Sequence, residues 1–403
     1  NCDWSSDVCS SDLGFSHWSG DSRKLTNATL RMSGENQSIS KVNFSYCANN
    51  ALDITNSTSI DISDCTFIAN GGSSVVGNNV LQGSLNNVRC EWSNWNGFRT
   101  PSFGSIEFSK SSHISLQDII VANSRSTGIL FYPNCSNVSI SKLYSCDNYA
   151  FGLSYEMSSG LSLVDAIFAR NGNNYQILGS SNCSIWQVTS LDSSGSSVCV
   201  NEDSRTFGND LVHPASAGDS FNILIKNSVH AGTSNANSAL LNSKNVFSDS
   251  LSDGMIHQRT PLFTQQMFST APYADPLTIN GGNNVWIRTG SSLALAQFNW
   301  ATPEGDFFSS GYDVQTEKSL TQVQGFGCES NSIAFDDGSA GSIISYFPNY
   351  ADGDNVAWVS NSIPGSGGTS SIASVPTDAV ADIIGISHGS AARYGCYNAP
   401  RPQ

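Results

Sequence analysis

Apolar residues recur through the first half of the chain every 22 to 24 residues, at offsets 0, +2, +5 and +7 within each unit. The pattern reads Ile60, Ile62, Cys65, Phe67, then Ile114, Leu116, Ile119, Val121, then Val138, Ile140, Leu143. It continues as Leu161, Leu163, Ala166, Phe168 and as Cys183, Ile185, Val188, with weaker copies at Ile39, Val42, Phe44 and at Leu85, Val88, Cys90. Alternation over two or three residues predicts short strands, and a polar corner every few residues keeps them from pairing as hairpins. A fixed period of this size predicts a solenoid, in which a unit buries its apolar side only by stacking on its neighbours. Residues 14–250 are expected to form these coils. Residues 251–403 show no clear period and are expected to form a less regular region of last coils and capping loops; Ser362–Pro376, rich in Gly, Ser and Pro, reads as a loop.

In the repeat Cys135–Met157, CSNVSISKLYSCDNYAFGLSYEM, Val138 and Ile140 mark one strand, Leu143 opens a second and Gly152–Tyr155 forms a third. Three short parallel strands per turn would stack into three sheets with rungs about 4.8 Å apart. The pattern N-x-x-I-x-N…N…G-I-x-L across residues 36–247 resembles the right-handed parallel β-helix, the pectate-lyase-like superfamily. That resemblance implies an all-β, three-sheet solenoid and an extracellular or cell-surface location. It is not specific to an activity, because the same solenoid carries lyases, hydrolases, adhesins and tailspikes. Further on, Asn245-Val246-Phe247, Asn284-Val285-Trp286, Ser292-Leu293 and Gly311-Tyr312-Asp313 resemble an ending found in secreted β-helix carbohydrate enzymes. The match departs from that ending at Gln315 and Thr316, where His and Ser are usual, and at the displaced Trp300. Residues 3–13, DWSSDVCSSDL, resemble the translation of a common sequencing adapter, so residues 1–13 are set aside as an artefact and the native chain is expected to begin upstream.

Charged residues make up only 13% of the chain, and Ser, Asn and Gly abound, which suits hydrogen-bonding β corners rather than helices. With 18 Lys and Arg against 33 Asp and Glu there is no basic stripe, which argues against a nucleic-acid partner. No apolar run approaches a membrane-spanning length. Oligomeric state is not readable. Cys65, Cys90 and Cys183 occupy repeat positions held elsewhere by aliphatic residues and read as buried hydrophobes, while Cys135 and Cys146 lie at different corners and should not meet. No C-x-x-C and no Cys/His cluster marks a zinc site.

The resemblance implies that the strand after the Gly corner lines the substrate groove. With Leu52, Ile54, Ile106, Phe108, Ile129, Phe131, Leu153 and Tyr155 facing the core, alternation places Asp53, Glu107, Leu130, Ser154, Gln176 and Cys199 outward. Two residues on come Ser109, Tyr132, Glu156 and Asn201, with Glu202 and Asp203 beyond; the preceding corners bring Arg125 and Arg170. Glu156, Glu107, Arg125 and Arg170 are therefore the catalytic candidates: carboxyls for glycoside hydrolysis, arginines to neutralise an acidic sugar in a lyase. Tyr132, Trp92, Trp95, Asn201, Glu202 and Asp203 are the substrate-binding candidates, the aromatics as platforms for sugar rings. Corner asparagines Asn70, Asn148 and Asn171 read as structural. No cofactor or metal is expected; an acidic column could hold Ca²⁺, but no D-x-D run marks a site. Two functions remain open: a polysaccharide lyase or hydrolase with a glycan partner in the groove, and a non-catalytic adhesin, tailspike-like fibre or cell-wall protein.

Overall fold

The computed structural model describes residues 28–95, 103–191, 193–195 and 198–201, followed by short strands between 221 and 336. The chain divides into two compact units, Asn1–Tyr175 and Gln176–Gln403.

In the first unit every coil contributes a short strand and a long one. The short strands are β1 (Ala28–Arg31), β4 (Asn50–Asp53), β6 (Val75–Asn78), β8 (Gly104–Ser109), β10 (Thr127–Phe131) and β12 (Phe151–Glu156). They pair in that order, all in parallel, to form a first sheet. The long strands are β2 (Gly34–Ser40), β5 (Ser57–Ile68), β7 (Leu81–Glu91), β9 (Ser112–Ala122), β11 (Ser136–Cys146) and β13 (Ser159–Ala169), with β3 (Asn43–Ser45) beside β5. They form a second parallel sheet. Apart from β3, consecutive strands thus alternate between sheets, and each pairs with its counterpart one coil later. The chain is a parallel β-helix.

The offsets 0, +2, +5, +7 have a local cause. At offset +4 the backbone turns left-handed in every coil: Lys41, Asp64, Asn87, Asp118, Lys142 and Asp165 have φ between 51° and 57°. Two inward positions precede this residue at period two; the left-handed step shifts the alternation by one, and the next inward positions are +5 and +7. Ile60, Ile62, Cys65 and Phe67 accordingly stack in register below Gly83, Leu85, Val88 and Cys90, which stack below Ile114, Leu116, Ile119 and Val121. Ladder hydrogen bonds run on past this single-residue corner. The two strands expected around Leu143 are joined as one hydrogen-bonded strand, β11, bent at Lys142.

The interior is a continuous column of Ile, Leu, Val and Phe, with rings stacked where coils supply them: Phe44 on Phe67, with centroids 4.9 Å apart, and Phe108 on Phe131, 5.5 Å apart. Cys65 and Cys90 are buried in this column, while Cys146 packs outside it with Ala122 and Ala169. At one corner a buried asparagine ladder satisfies the backbone between coils. Asn148 Oδ1 accepts from the Ser124 N–H (3.0 Å), and Asn171 Oδ1 accepts from both the Asn148 N–H (3.0 Å) and Asn148 Nδ2 (2.9 Å). Asn70 plays the same part, accepting from the Cys47 N–H at 3.1 Å. Gly128 and Gly152 lie beside this ladder because coils approach too closely there for a side chain. A Cβ on Gly152 would sit 2.5 Å from the Asn174 carbonyl oxygen and 2.7 Å from Phe168.

In the second unit, parallel pairing continues from β15 (Ser181–Leu191) to β17 (Phe221–Lys226) and β18 (Val229–Thr233). It runs on through β20 (Val246–Asp249) and β22 (Val285–Arg288) to β25 (Ile333–Asp336). Strands β23 (Ala296–Trp300) and β24 (Val314–Lys318) pair antiparallel. Parallel ladders thus extend past residue 250, where the hydrophobic period fades. The described residues contain no helix long and apolar enough to cross a membrane.

Candidate functional site on the first sheet

Strands of the first sheet turn one side into the core and the other away from it, and that second side, expected to be exposed, is itself covered at Asp53, Leu130, Ser154 and Glu156. Ile106, Phe108, Ile129, Phe131, Leu153 and Tyr155 are fully buried in the column. The opposite alternation then aligns Arg31, Asp53, Val76, Glu107, Leu130 and Ser154, each in direct register with the next. A second outward column two residues further on holds Asn78 and Ser109, in register and joined by a 2.7 Å side-chain hydrogen bond. The Tyr132 N–H, bonded to the Phe108 carbonyl at 2.9 Å, continues that column, and Glu156 follows on β12.

These outward groups are held in place. The Asp53 carboxylate accepts from Arg31 Nε (2.9 Å) and Nη2 (2.8 Å) on one side and from the Thr55 N–H (2.9 Å) on the other. Glu107 Oε2 accepts from the Gly104 N–H at 3.3 Å, three residues back on its own strand, and the carboxyl also bonds the Ser73 side chain. Val76 and Leu130 flank it in register. Burial pushes the Glu107 carboxyl up to about 7, an effect only partly offset by the bonds from Gly104 and Ser73. Glu156 is buried at 6% exposure, and its Oε1 accepts from Ser154 Oγ at 2.5 Å.

Glu107 and Glu156 share the face of the first sheet that points away from the core. Two rungs and two residues separate them, about 12 Å between Cα atoms at the standard strand and rung spacings. Glu107 leans back toward Gly104, away from Glu156, and Glu156 leans toward Ser154. Ser154 lies in the same register row as Glu107, so the Glu156 carboxyl turns back toward that row.

The two arginines sit at corners with other partners. Arg170 forms a two-pronged bond with Asp147, Nε to Oδ1 at 2.8 Å and Nη2 to Oδ2 at 2.6 Å, and that bond raises its already high pKa further. Arg125 is exposed and donates from Nη1 to the Trp95 carbonyl at 2.5 Å. Trp95 in turn donates its indole N–H to the Ala69 carbonyl at 2.7 Å, which fastens the start of the insertion after β7 onto an earlier coil. Trp92 is 54% exposed at a corner. Of the remaining candidates, Glu202 and Asp203 lie outside the described residues. For Asn201, at the end of β16 (Val198–Asn201), and for Cys199 only the backbone is described; Gln176 belongs to the second unit.

Ser73 and Arg31 were not singled out from the sequence. Ser73 meets Glu107 only because a corner 34 residues earlier stacks beside β8, and no local pattern marks such a pair. Arg31 belongs to a strand before the first clear repeat. Among the described residues no group of three His, Cys, Asp or Glu could hold a metal ion.

No protein-family model matches this chain, and no curated protein matches it. Solved structures do resemble it. The A-module of the mannuronan C-5 epimerase AlgE6 from Azotobacter vinelandii aligns with a TM-score of 0.45 and 11% identity, over 75% of this chain and 64% of that one. The periplasmic alginate epimerase AlgG aligns with a TM-score of 0.31 and 9% identity, over 76% of this chain and 77% of its own. The chain thus spans a little under two thirds of the AlgE6 module's length.

Proposed function

We propose that the outward face of the first sheet binds a polysaccharide chain and that Glu107 exchanges a proton with it. The observation that carries this reading is the placement of Glu107: a partly exposed carboxyl on the side of the sheet away from the core, between Val76 and Leu130, held by Gly104 and Ser73, and buried enough to titrate near neutrality. A group titrating at about 7 can both give and take a proton at neutral pH, which suits general acid–base chemistry. Asn78, Ser109 and Tyr132, each partly exposed, supply hydroxyl and amide groups of the kind that bind sugar hydroxyls. Glu107 is the carboxyl assigned the proton exchange, because burial places its titration near neutrality.

The burial of Leu130, Ser154 and Glu156 supports a second reading, in which the face only binds glycan and the protein serves as an adhesin or wall component. The test is to incubate the full chain with neutral and acidic polysaccharides while following reducing ends and the ultraviolet absorbance of unsaturated uronides. Product from the wild type that disappears in Glu107→Gln is expected. Retention of a polymer without any product supports the binding reading, and full turnover in Glu107→Gln refutes the role given to Glu107.

A further inference from the structure

Outside the groove, one corner of the first unit carries exposed aromatic rings at a regular interval. Tyr46, Ala69, Trp92, Asn123, Asp147 and Arg170 each follow a strand of the second sheet, and ladder bonds stack them one per coil. The Tyr46 N–H bonds the Ile68 carbonyl, Ala69 the Glu91 carbonyl, Trp92 the Ala122 carbonyl, Asn123 the Cys146 carbonyl and Asp147 the Ala169 carbonyl. All six have left-handed backbones, with φ between 54° and 58°. Asn and Asp suit that conformation, whereas a bulky ring does not. Tyr46 and Trp92 take it nonetheless, and their rings are 57% and 54% exposed. Core packing therefore does not explain them, and an exposed ring on an unfavourable backbone points to a use.

The spacing suggests which use. Tyr46 and Trp92 are two rungs apart, with the small Ala69 between them. Two rungs further on, Tyr149 is 49% exposed, two residues past Asp147 at the same corner. Rings therefore recur about every 10 Å along the solenoid axis. In a β-1,4-linked glycan successive sugars are flipped, so the same sugar face returns once per disaccharide, about the same interval. The rings are isolated rather than fused into one apolar patch, which suits alternate sugar rings better than a protein surface. A net charge of −15 disfavours a polyanion.

We propose that this corner, through Tyr46, Trp92 and Tyr149, is a binding track for a neutral β-1,4-linked polysaccharide running parallel to the solenoid axis. It shares with the groove reading only the class of ligand, and it needs no turnover.

Affinity electrophoresis of the full chain in native gels containing hydroxyethylcellulose, glucomannan or polygalacturonate tests the track. Retardation by a neutral polymer and not by polygalacturonate is expected. Trp92→Asn and Tyr46→Asn should each weaken retention about tenfold, the size of one ring contact. Neither variant should lower the melting midpoint, because Asn123 already occupies the same left-handed position one rung away. A ring with a merely structural role would show the reverse: lower melting and unchanged retention. The proposal is overturned if neither neutral polymer retards the wild type or if the double variant is retained as well as the wild type. It is equally overturned if retention is lost in Glu107→Gln yet kept in the double corner variant, which places binding in the groove. Failure of the groove reading would appear separately, as absence of product.

Discussion

Replacing Glu107 by Gln should stabilise the protein at high pH and leave its stability nearly unchanged at low pH. The folded carboxyl titrates at about 7 against an ordinary value of 4.5, so the folded state holds this proton more tightly than the unfolded chain. Between these two values the unfolded state binds fewer protons than the folded one, and stability therefore falls as pH rises. Below about pH 4.5 both states are protonated and the effect vanishes; above about 7 it is complete. At about 1.4 kcal/mol per unit, the shift amounts to on the order of 3 kcal/mol, less to the extent that water reaches the half-buried residue. Glutamine keeps an oxygen to accept the Gly104 N–H and carries no charge, so it removes this cost alone.

Denaturant titrations of the wild type and Glu107→Gln, from about pH 4 to about pH 8.5, isolate the effect, because every other titrating group is common to both proteins. The difference in unfolding free energy should be near zero at the acid end and rise through neutrality to a plateau favouring Gln. A difference that stays flat with pH, or a variant less stable throughout, would show that the carboxyl is not desolvated in the fold and would remove the basis for proton exchange at neutral pH.

Gly152→Ala should destabilise the first unit by roughly 2–3 kcal/mol, since its Cβ would meet backbone 2.5 Å away; an unfolding midpoint equal to the wild type's would contradict the close approach of the coils. Asn148→Ala should cost about 2–4 kcal/mol in the same measurement, because the Ser124 N–H it serves at 3.0 Å would be left buried and unpaired. Burial raises the Cys90 and Cys146 thiols to about 12, so both should resist alkylation at mildly alkaline pH until the protein is unfolded; rapid labelling of the native protein at either position, read by mass spectrometry, would contradict their burial.

Most of the fold was legible because a period-two pattern leaves little freedom once one face is buried. The register of Asp53, Val76, Glu107, Leu130 and Ser154 follows from the inward placement of Ile106, Ile129 and Leu153. The bend inside each long strand was visible only as a skipped position in the pattern, since its residue varies: Asp64, Asn87, Asp118 and Asp165 announce a left-handed step, but Lys41 and Lys142 do not. Side-chain partners across coils were not legible. Arg170 and Arg125 could swing toward several groups, and the choice of Asp147 and of the Trp95 carbonyl depends on what the adjoining coil places within reach.

The left-handed corners separate residues kept for folding from residues kept for something else. At offset +4 and after each long strand, the backbone demands a conformation that Asn, Asp and Gly adopt at least cost, and where such a residue stands the fold is sufficient reason. Ala69 shows that a side chain without hydrogen-bonding groups is also tolerated there. Tyr46 and Trp92 gain nothing from that backbone and bury less than half their surface, so folding selects against them at those positions. Glu107 is the same kind of exception on the first sheet: a Ser or Thr at that site would avoid the penalty of a desolvated carboxyl while keeping the ladder intact. Residues that cost stability in an otherwise locally consistent chain are where function is to be sought. In this solenoid they fall on two adjacent features, the outward column of the first sheet and the corner that leads into it.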